Sequence, residues 1–431
     1  MSIGTRSLES EIDKAAGKLA EKATSRRFFI ESIKTLDGIA ASSILYKTFV
    51  ELGGKVIVRF THGDSVSGSV PECDYRIAIG RSGQNADLII GYEGGITPSN
   101  FGYDDLFDGS LSSMAQLIRD KVSKAPEETY FVAIAGSLSA MQDVQEDRKL
   151  KGINQMIIER ALKSRRIQEE TRLELPFGDI VPLRDSISMS YDPYFKGIAG
   201  SPAVASSVVA STGIQQIKEG RFVTLKDLKE DELDALEKVL LRYSTSKLLR
   251  RTSYKRSDVD DSSYDYNLRD ILFMLEPLVV KNESMRIFKI LSDPAKGFGS
   301  ELFYESLEET EKLITLFNSL LNVRDRFTDE GIIRRIVGTG ISDLQQLLFF
   351  YKLVYRWDDT KGKVLIAETN EGPEEAFVLL DRSELRESII SSAKKHGGRV
   401  IRLRPFIIIY VNVIKAGLLY EEIRKMIAGV P

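Results

Sequence analysis

The stretch Ile30-Glu31-Ser32-Ile33-Lys34-Thr35-Leu36-Asp37-Gly38-Ile39-Ala40-Ala41-Ser42 reads as a short strand that gives way, at Asp37-Gly38, to an apolar helix. An aspartate between a strand end and a helix is an ordinary N-cap, because its carboxylate accepts hydrogen bonds from the backbone amides that a first helical turn leaves free. Outward from this point, short apolar runs at Phe28 to Ser32, Val56 to Phe60, Arg76 to Ile79, Leu88 to Ile90 and Phe131 to Ala135 read as strands. Their length and spacing predict an α/β fold, a parallel sheet with helices on both faces. A charged N-terminal helix is expected over Ser2 to Lys22. Lys226 to Glu237 opens a mostly helical middle section, and from about residue 331 the pattern is that of a second, smaller α/β domain. The expected division is therefore 1-200 for the sheet domain with its N-terminal helix, 201-330 for the helical middle section and 331-431 for the smaller C-terminal α/β domain.

The order of these segments resembles the DHH phosphoesterase superfamily, and within it the branch of archaeal RecJ and GINS-associated nucleases. In that family the first strand delivers His-x-Asp-x-Asp-Gly to a two-manganese site, and Ile33, Thr35 and Asp37 occupy the three ligand slots here. Tyr75 to Gly83 (YRIAIGRSG) is similar to the second strand, which ends in Asp-Leu-Gly-Ser-Gly, and places Ile79 in its aspartate slot. Ala86 to Gly95 (ADLIIGYEGG) resembles the strand that closes with Asp-His-His, with Gly91, Tyr92 and Glu93 in those slots. Val132 to Asp143 (VAIAGSLSAMQD) is similar to the archaeal Gly-Ala-Leu-Gly-Asp-Met-Gln-Asp segment, with Ala140 at the metal-binding aspartate. Lys151-Gly152-Ile153-Asn154 and Ser188 to Tyr194 (SMSYDPY) also look like this branch. The likeness covers residues 26 to 200 well and the rest poorly.

Hydrolysis of a phosphodiester by manganese needs several carboxylate or imidazole ligands on one or two ions, to neutralise phosphate charge and to lower the pKa of the attacking water. Ile33, Ile79, Gly91 and Ala140 offer no side-chain ligand, and of the slots that the resemblance marks only Asp37 keeps its residue. Asp37 reads first as a cap and second as a residual metal or phosphate group, with Glu93 as its conceivable neighbour. Glu93-Gly94-Gly95 likewise reads first as a tight turn that needs flexible glycines. No metal and no cofactor is therefore expected; manganese belongs to the alternative in which displaced carboxylates, for example Asp37, Glu93, Asp74 and Asp87, hold it.

The second domain of the family carries a Gly-Gly-Gly-His clamp for the nucleic acid strand. Here Lys363 to Glu368 reads as a strand and Asp381 to Lys395 as an amphipathic helix, followed by His396-Gly397-Gly398-Arg399. His396 precedes its glycines, which suits a helix C-terminus with Gly397 as the C-cap, rather than a clamp or a ligand. The densest basic run is Arg242, Lys247, Arg250, Arg251, Lys255 and Arg256, interleaved with Tyr243 and Tyr254. It suits a single nucleic acid strand, phosphates on the cations and bases on the rings. It equally suits the solvated end of a helix paired with Asp258 to Asp261. Arg399 and Arg402 form a smaller basic set on a strand pattern.

A net charge of −3 excludes a surface built throughout for nucleic acid. No apolar run reaches the roughly 18 residues of a membrane span, and Phe406 to Val413 reads as a buried strand. The N-terminus lacks the apolar core of a secretory signal. The lone cysteine, Cys73, excludes an intramolecular disulfide framework and reads as structural. A cytoplasmic protein of archaeal type is expected. The resemblance implies a catalytically inactive RecJ-like scaffold of DNA replication, with the GINS complex and the MCM helicase as partners and single-stranded DNA as a further ligand. Two other readings stand beside it: a manganese-dependent single-strand exonuclease using the displaced ligands, and a regulator that binds a nucleotide or oligonucleotide without cleaving it.

Overall fold

Arg27–Ile33 (β1) carries Phe28 and Ile30 on one face and Phe29 and Ile33 on the other, all buried, the mark of a strand inside a parallel sheet. The computed structural model places it so. It describes residues 26–61, 69–80, 86–91, 95–101, 108–143, 149–244, 249–257, 266–294, 298–322, 327–330, 333–336, 344–357, 364–368, 374–380, 386–403 and 406–427, with Asp13, Ala16 and Gly17. Most of the expected N-terminal helix therefore lies outside the described residues.

Lys55–Thr61 (β2), Tyr75–Ile79 (β3) and Leu88–Ile90 (β4) complete a four-stranded sheet in the order β2-β1-β3-β4. Every pairing is parallel; Phe29 of β1 lies beside Ile57 on one side and Arg76 on the other. Leu36–Glu51 (α1) follows β1 and stacks Phe49 on Phe28, ring centroids 4.3 Å apart and planes nearly parallel. Leu111–Val122 (α2), Tyr130–Ser139 (α3) and Gly152–Lys163 (α4) follow, with α1 packed against both α2 and α3.

The run Phe131 to Ala135, expected as a strand, lies inside helix α3. Every residue of α3 is buried, and the run Phe131 to Ala135 is apolar without interruption, so it carries no period that separates strand from helix. Its small residues, Ala133, Ala135, Gly136 and Ser137, let the helix approach its neighbours closely. Gly136 is the tightest point: a Cβ there would lie 2.9 Å from Asp37 Oδ1 and closer still to Ser112.

Ile167–Leu173 (β5) leads away from this sheet. Leu183–Ser188 (α5), Pro202–Ser211 (α6), Ile217–Lys218 (β6), Arg221–Phe222 (β7) and Glu230–Leu240 (α7) come next, before Arg250–Arg256 (β8) pairs with β5. Leu268–Val280 (α8), Ser284–Ser292 (α9) and Ser300–Asn322 (α10) are helical. Phe327–Glu330 (β9), Ile333–Ile336 (β10), Leu344–Trp357 (α11), Val364–Glu368 (β11), Glu374–Leu380 (β12), Arg386–Lys395 (α12), Arg399–Leu403 (β13), Phe406–Asn412 (β14) and Val413–Ile427 (α13) end the chain. The six strands form a mixed sheet, β13-β14-β12-β11-β10-β9.

The chain forms two compact units. One comprises Met1–Glu170, Tyr254–Phe303 and Leu403–Pro405; the other comprises Thr171–Ser253, Tyr304–Arg402 and Phe406–Pro431. Residues 201–330 thus contribute to both. Among the described residues of the second unit, one apolar core gathers around Leu183, Phe195, Val209, Leu236 and Leu249, and another around Ile366, Phe377, Ile389, Ile409 and Leu419.

Candidate functional site

Ligands of open parallel sheets gather beyond the carboxyl ends of the strands, and the slots marked in the sequence lie there. Ile33 ends β1, Ile79 ends β3 and Gly91 follows β4. All are buried, Ile33 and Ile79 at 2% and 0% exposure. Ile33 and Leu111 both pack against Gly80, so hydrocarbon lies at the end of β3. Ala140 is the buried C-cap of α3. Tyr92 and Glu93 lie outside the described residues.

Asp37 does not cap its own helix. Thr35 does, its Oγ1 accepting from the Gly38 amide at 3.1 Å. The Asp37 carboxylate, 3% exposed, instead crosses to the N-terminus of α2. Its Oδ2 accepts from the Leu111 amide at 2.8 Å, and its Oδ1 accepts from the Ser112 amide at 3.0 Å and the Ser112 hydroxyl at 2.6 Å. Free amides and the helix dipole both favour an anion at that position. The expectation of a cap at Asp37 is thus corrected in its recipient: the carboxylate serves a helix that begins 74 residues on.

Behind Asp37 lies a buried polar network that the sequence reading missed. Asn154 Oδ1 accepts from the Ser110 amide at 3.1 Å and the Ser137 hydroxyl at 3.1 Å, and also from Ser113. Asn154 Nδ2 donates to Gln142 Oε1 at 3.1 Å, while the Ser110 and Ser137 hydroxyls lie 2.8 Å apart. Asp143 next to Gln142 pairs with Arg269 of α8, both buried. The signal available in the sequence was Ser110-Leu111-Ser112-Ser113 ahead of an apolar run, a serine cap of the kind that opens helices.

These residues do not fit a manganese pair. The strand ends present isoleucine and glycine and the C-cap of α3 an alanine, Asp37 is held by three donors, and among the described residues no group of three His, Cys, Asp or Glu side chains converges as metal ligands would. The displaced set is not assembled either. Asp74 Oδ2 accepts from the Arg27 amide at 2.7 Å and Asp87 Oδ2 from the Arg76 amide at 2.8 Å, which fixes both at the amino ends of strands, the opposite end of the sheet from Asp37. Cys73 is half-buried beside them; burial, then Asp87, raises its thiol pKa, against the needs of a nucleophile.

The basic run is a strand in its second half, not a helix end, and its carboxylate partners precede it. Arg250 reaches Glu237 at 2.9 Å and also Glu230 and Asp234, all on α7. Asp258 to Asp261 lie outside the described residues, as does Lys247. Arg251 is buried, its Nη1 3.0 Å from Asp192 Oδ1, which withdraws it from any phosphate-facing surface. Arg256 stacks on Phe131 at 5.0 Å, Lys255 is half-buried, and Arg242 is exposed. Arg399 lies 4.8 Å over the Tyr410 ring and 3.8 Å from Glu374; the side chain of Arg402 lies outside the described residues.

At His396-Gly397-Gly398 stands a helix stop. Gly397, at φ +75°, ends α12: its amide donates to the Lys394 carbonyl at 3.0 Å and that of Gly398 to the Ala393 carbonyl at 2.7 Å. This is the double bond pattern of a left-handed C-terminal cap. His396 turns to Glu422 of α13, Nε2 to Oε1 3.1 Å. Lys395 joins it at 3.3 Å, and the two hold the Glu422 carboxyl below its ordinary value.

No protein-family model matches the chain, and no curated protein matches it by sequence. Its likeness is structural. Cdc45 from Entamoeba histolytica superposes with a TM-score of 0.62 over 96% of this chain and 98% of its own, at 11% identity. The fold is that of the DHH proteins. The exonuclease RecJ in a manganese-bound structure superposes at 0.52, 12% identity, over 98% and 95% of the two chains. The DHH domain of a protein described as a member of a ribosomal protein family gives 0.51 at 10% identity, over 99% and 92%. At such identities the likeness speaks for the DHH fold, and chemistry rests on the residues at the strand ends. No helix among the described residues is long and apolar enough to cross a membrane.

Proposed function

We propose that the chain is a catalytically silent, RecJ-like protein that works as a scaffold of DNA replication, assembling with the GINS complex and the MCM helicase. The observation that carries this reading is that Ile33 and Ile79, in slots that the sequence resemblance marks for metal ligands, are buried at the ends of β1 and β3, while Asp37 is spent on the N-terminus of α2. A fold kept while its ligand positions turn apolar places the function on surfaces. The extent of the likeness to Cdc45, which runs over nearly the whole of both chains, supports the same reading.

The test is digestion of a labelled single-stranded oligonucleotide with manganese or magnesium, the wild type beside Asp37→Ala. No metal-dependent cleavage is expected from either protein. Cleavage by the wild type that disappears in the variant would overturn the reading and restore the exonuclease alternative. Single-stranded DNA is proposed as a weak ligand of the isolated chain, since Arg250 and Arg251 are already paired with carboxylates.

A further inference from the structure

Helix α13 is fixed in rotation by Ala416, Leu419 and Ile423, each fully buried in the core of the six-stranded sheet. Its opposite face cannot turn inward, and that face is apolar where it starts. Ile414 is 86% exposed and Leu418 57%, one helical turn apart on one line. Their neighbour Gly417 has open space where a side chain would stand. The first turn is also held in shape, because Asn412 Oδ1 accepts from the Ile414 amide at 3.0 Å. Single exposed aliphatic residues are ordinary. Two in line on a capped and anchored helix present the spacing by which helices recognise one another.

The charge around this ridge decides what fits it. Lys395, Arg399 and Arg424 face Glu422, Glu374 and Glu421 respectively. Lys394, Lys415 and Lys425 are exposed, and no carboxylate among the described residues pairs with them. Lys415 lies beside Gly397 at the end of α12, next to Lys394, and Lys425 stands on the ridge about three turns beyond Ile414. Glu421, on the same line as Ile414 and Leu418, is met by Arg424 at 3.7 Å, so the unpaired lysines leave the surround of the ridge positive. A partner with carboxylates beside its apolar residues would meet complementary charge. We propose that the Ile414–Leu418 ridge of α13 docks an acidic amphipathic helix of a partner protein.

The probe is a synthetic helical peptide with leucine at i, i+3, i+4 and i+7 and glutamate at the flanking positions, beside a twin with lysine for glutamate. Binding to the full chain is followed by fluorescence anisotropy. The acidic peptide should bind saturably and the basic twin should not. Ile414→Asp with Leu418→Asp should weaken binding about tenfold or more, as loss of central anchors does. Lys394→Glu, Lys415→Glu and Lys425→Glu together should weaken it and reverse the preference between the peptides. All five positions are exposed, so the circular dichroism spectrum and melting temperature should stay as in the wild type. Equal binding of both peptides, no binding of the acidic one, or binding unchanged in the variants would overturn the proposal. So would a wild-type dimer in sedimentation that the Ile414 and Leu418 variants abolish, which would give the ridge to a second copy. None of these outcomes depends on GINS or MCM, so the proposal can fail while the replication reading stands, or the reverse.

Discussion

Asp37 shows what one residue gives away and what it withholds. Its place before a glycine and an apolar helix announced a capping carboxylate, yet nothing local could name the amides of Leu111 and Ser112 as its donors, since they arrive through tertiary packing. Asp37→Ala leaves two buried amides without their acceptor, while the Ser112 hydroxyl keeps the Ala133 carbonyl at 2.9 Å, and each buried unsatisfied group costs about 1–3 kcal/mol. A loss of about 2–4 kcal/mol in urea unfolding is therefore expected. Asp37→Asn should lose less, because its carbonyl still serves one amide while its NH2 opposes the other. A change within about 0.5 kcal/mol in the alanine variant, the range of an inert surface site, would remove the capping role. Arg251 is the converse case. In the sequence it belongs to a basic run; in the fold it is buried against Asp192, and charge spacing along a chain cannot tell an inward arginine from an outward one. Arg251→Ala should cost roughly 3–5 kcal/mol, as breaking a buried pair does, and leave the salt dependence of any single-strand binding unchanged. A flattened salt slope in a stably folded variant would return Arg251 to the surface.

Among elements, those with a period or a stop signal were legible. The strands β1 to β4, the strand Phe406–Asn412 and the glycine stop after α12 lie where the pattern put them. Helix α3 was not legible, because a run buried on every side looks the same in either geometry. One reading put the basic run on a helix end, but Arg250, Arg251, Thr252 and Ser253 alternate in a strand, where Arg250 finds its partners on α7 and Arg251 pairs with Asp192. The contact between α12 and α13 carries a prediction of its own. Glu422 accepts from His396 and Lys395, which lower its pKa from the ordinary 4.5. A carboxyl depressed in the folded state gives stability that is present above its unfolded pKa and is lost as pH falls through the folded value. The wild type should therefore lose urea resistance on acidification below about pH 4.5, and Glu422→Gln should start lower at neutral pH and lose less over the same interval. Parallel curves for the two proteins between roughly pH 3 and 6 would show that Glu422 contributes nothing to the linkage.

At the scale of the molecule, the α/β class with its parallel sheet was legible because strand spacing and the DHH-like motif order agree, whereas the division into units depends on contacts between segments far apart in sequence. Thr171–Ser253 shares a unit with Tyr304–Arg402, and no composition shift marks such a return. The sheet unit draws, apart from Leu403–Pro405, only on residues up to Phe303, so a chain ending at Asn322 keeps nearly all of it and loses the whole six-stranded sheet. That truncation separates the scaffold reading from its rivals. The sheet domain must bury both of its own faces, which leaves the C-terminal sheet and its helices as the surfaces most free for partners. A native pull-down from the source cell with the full chain should recover GINS and MCM subunits. The truncated chain should keep the circular dichroism signature of the parallel-sheet unit and lose GINS. GINS retained by the truncated, folded chain would move the contact to the first 322 residues, and recovery of RNA-processing proteins without any replication component would overturn the scaffold reading in favour of a regulator that binds oligonucleotides.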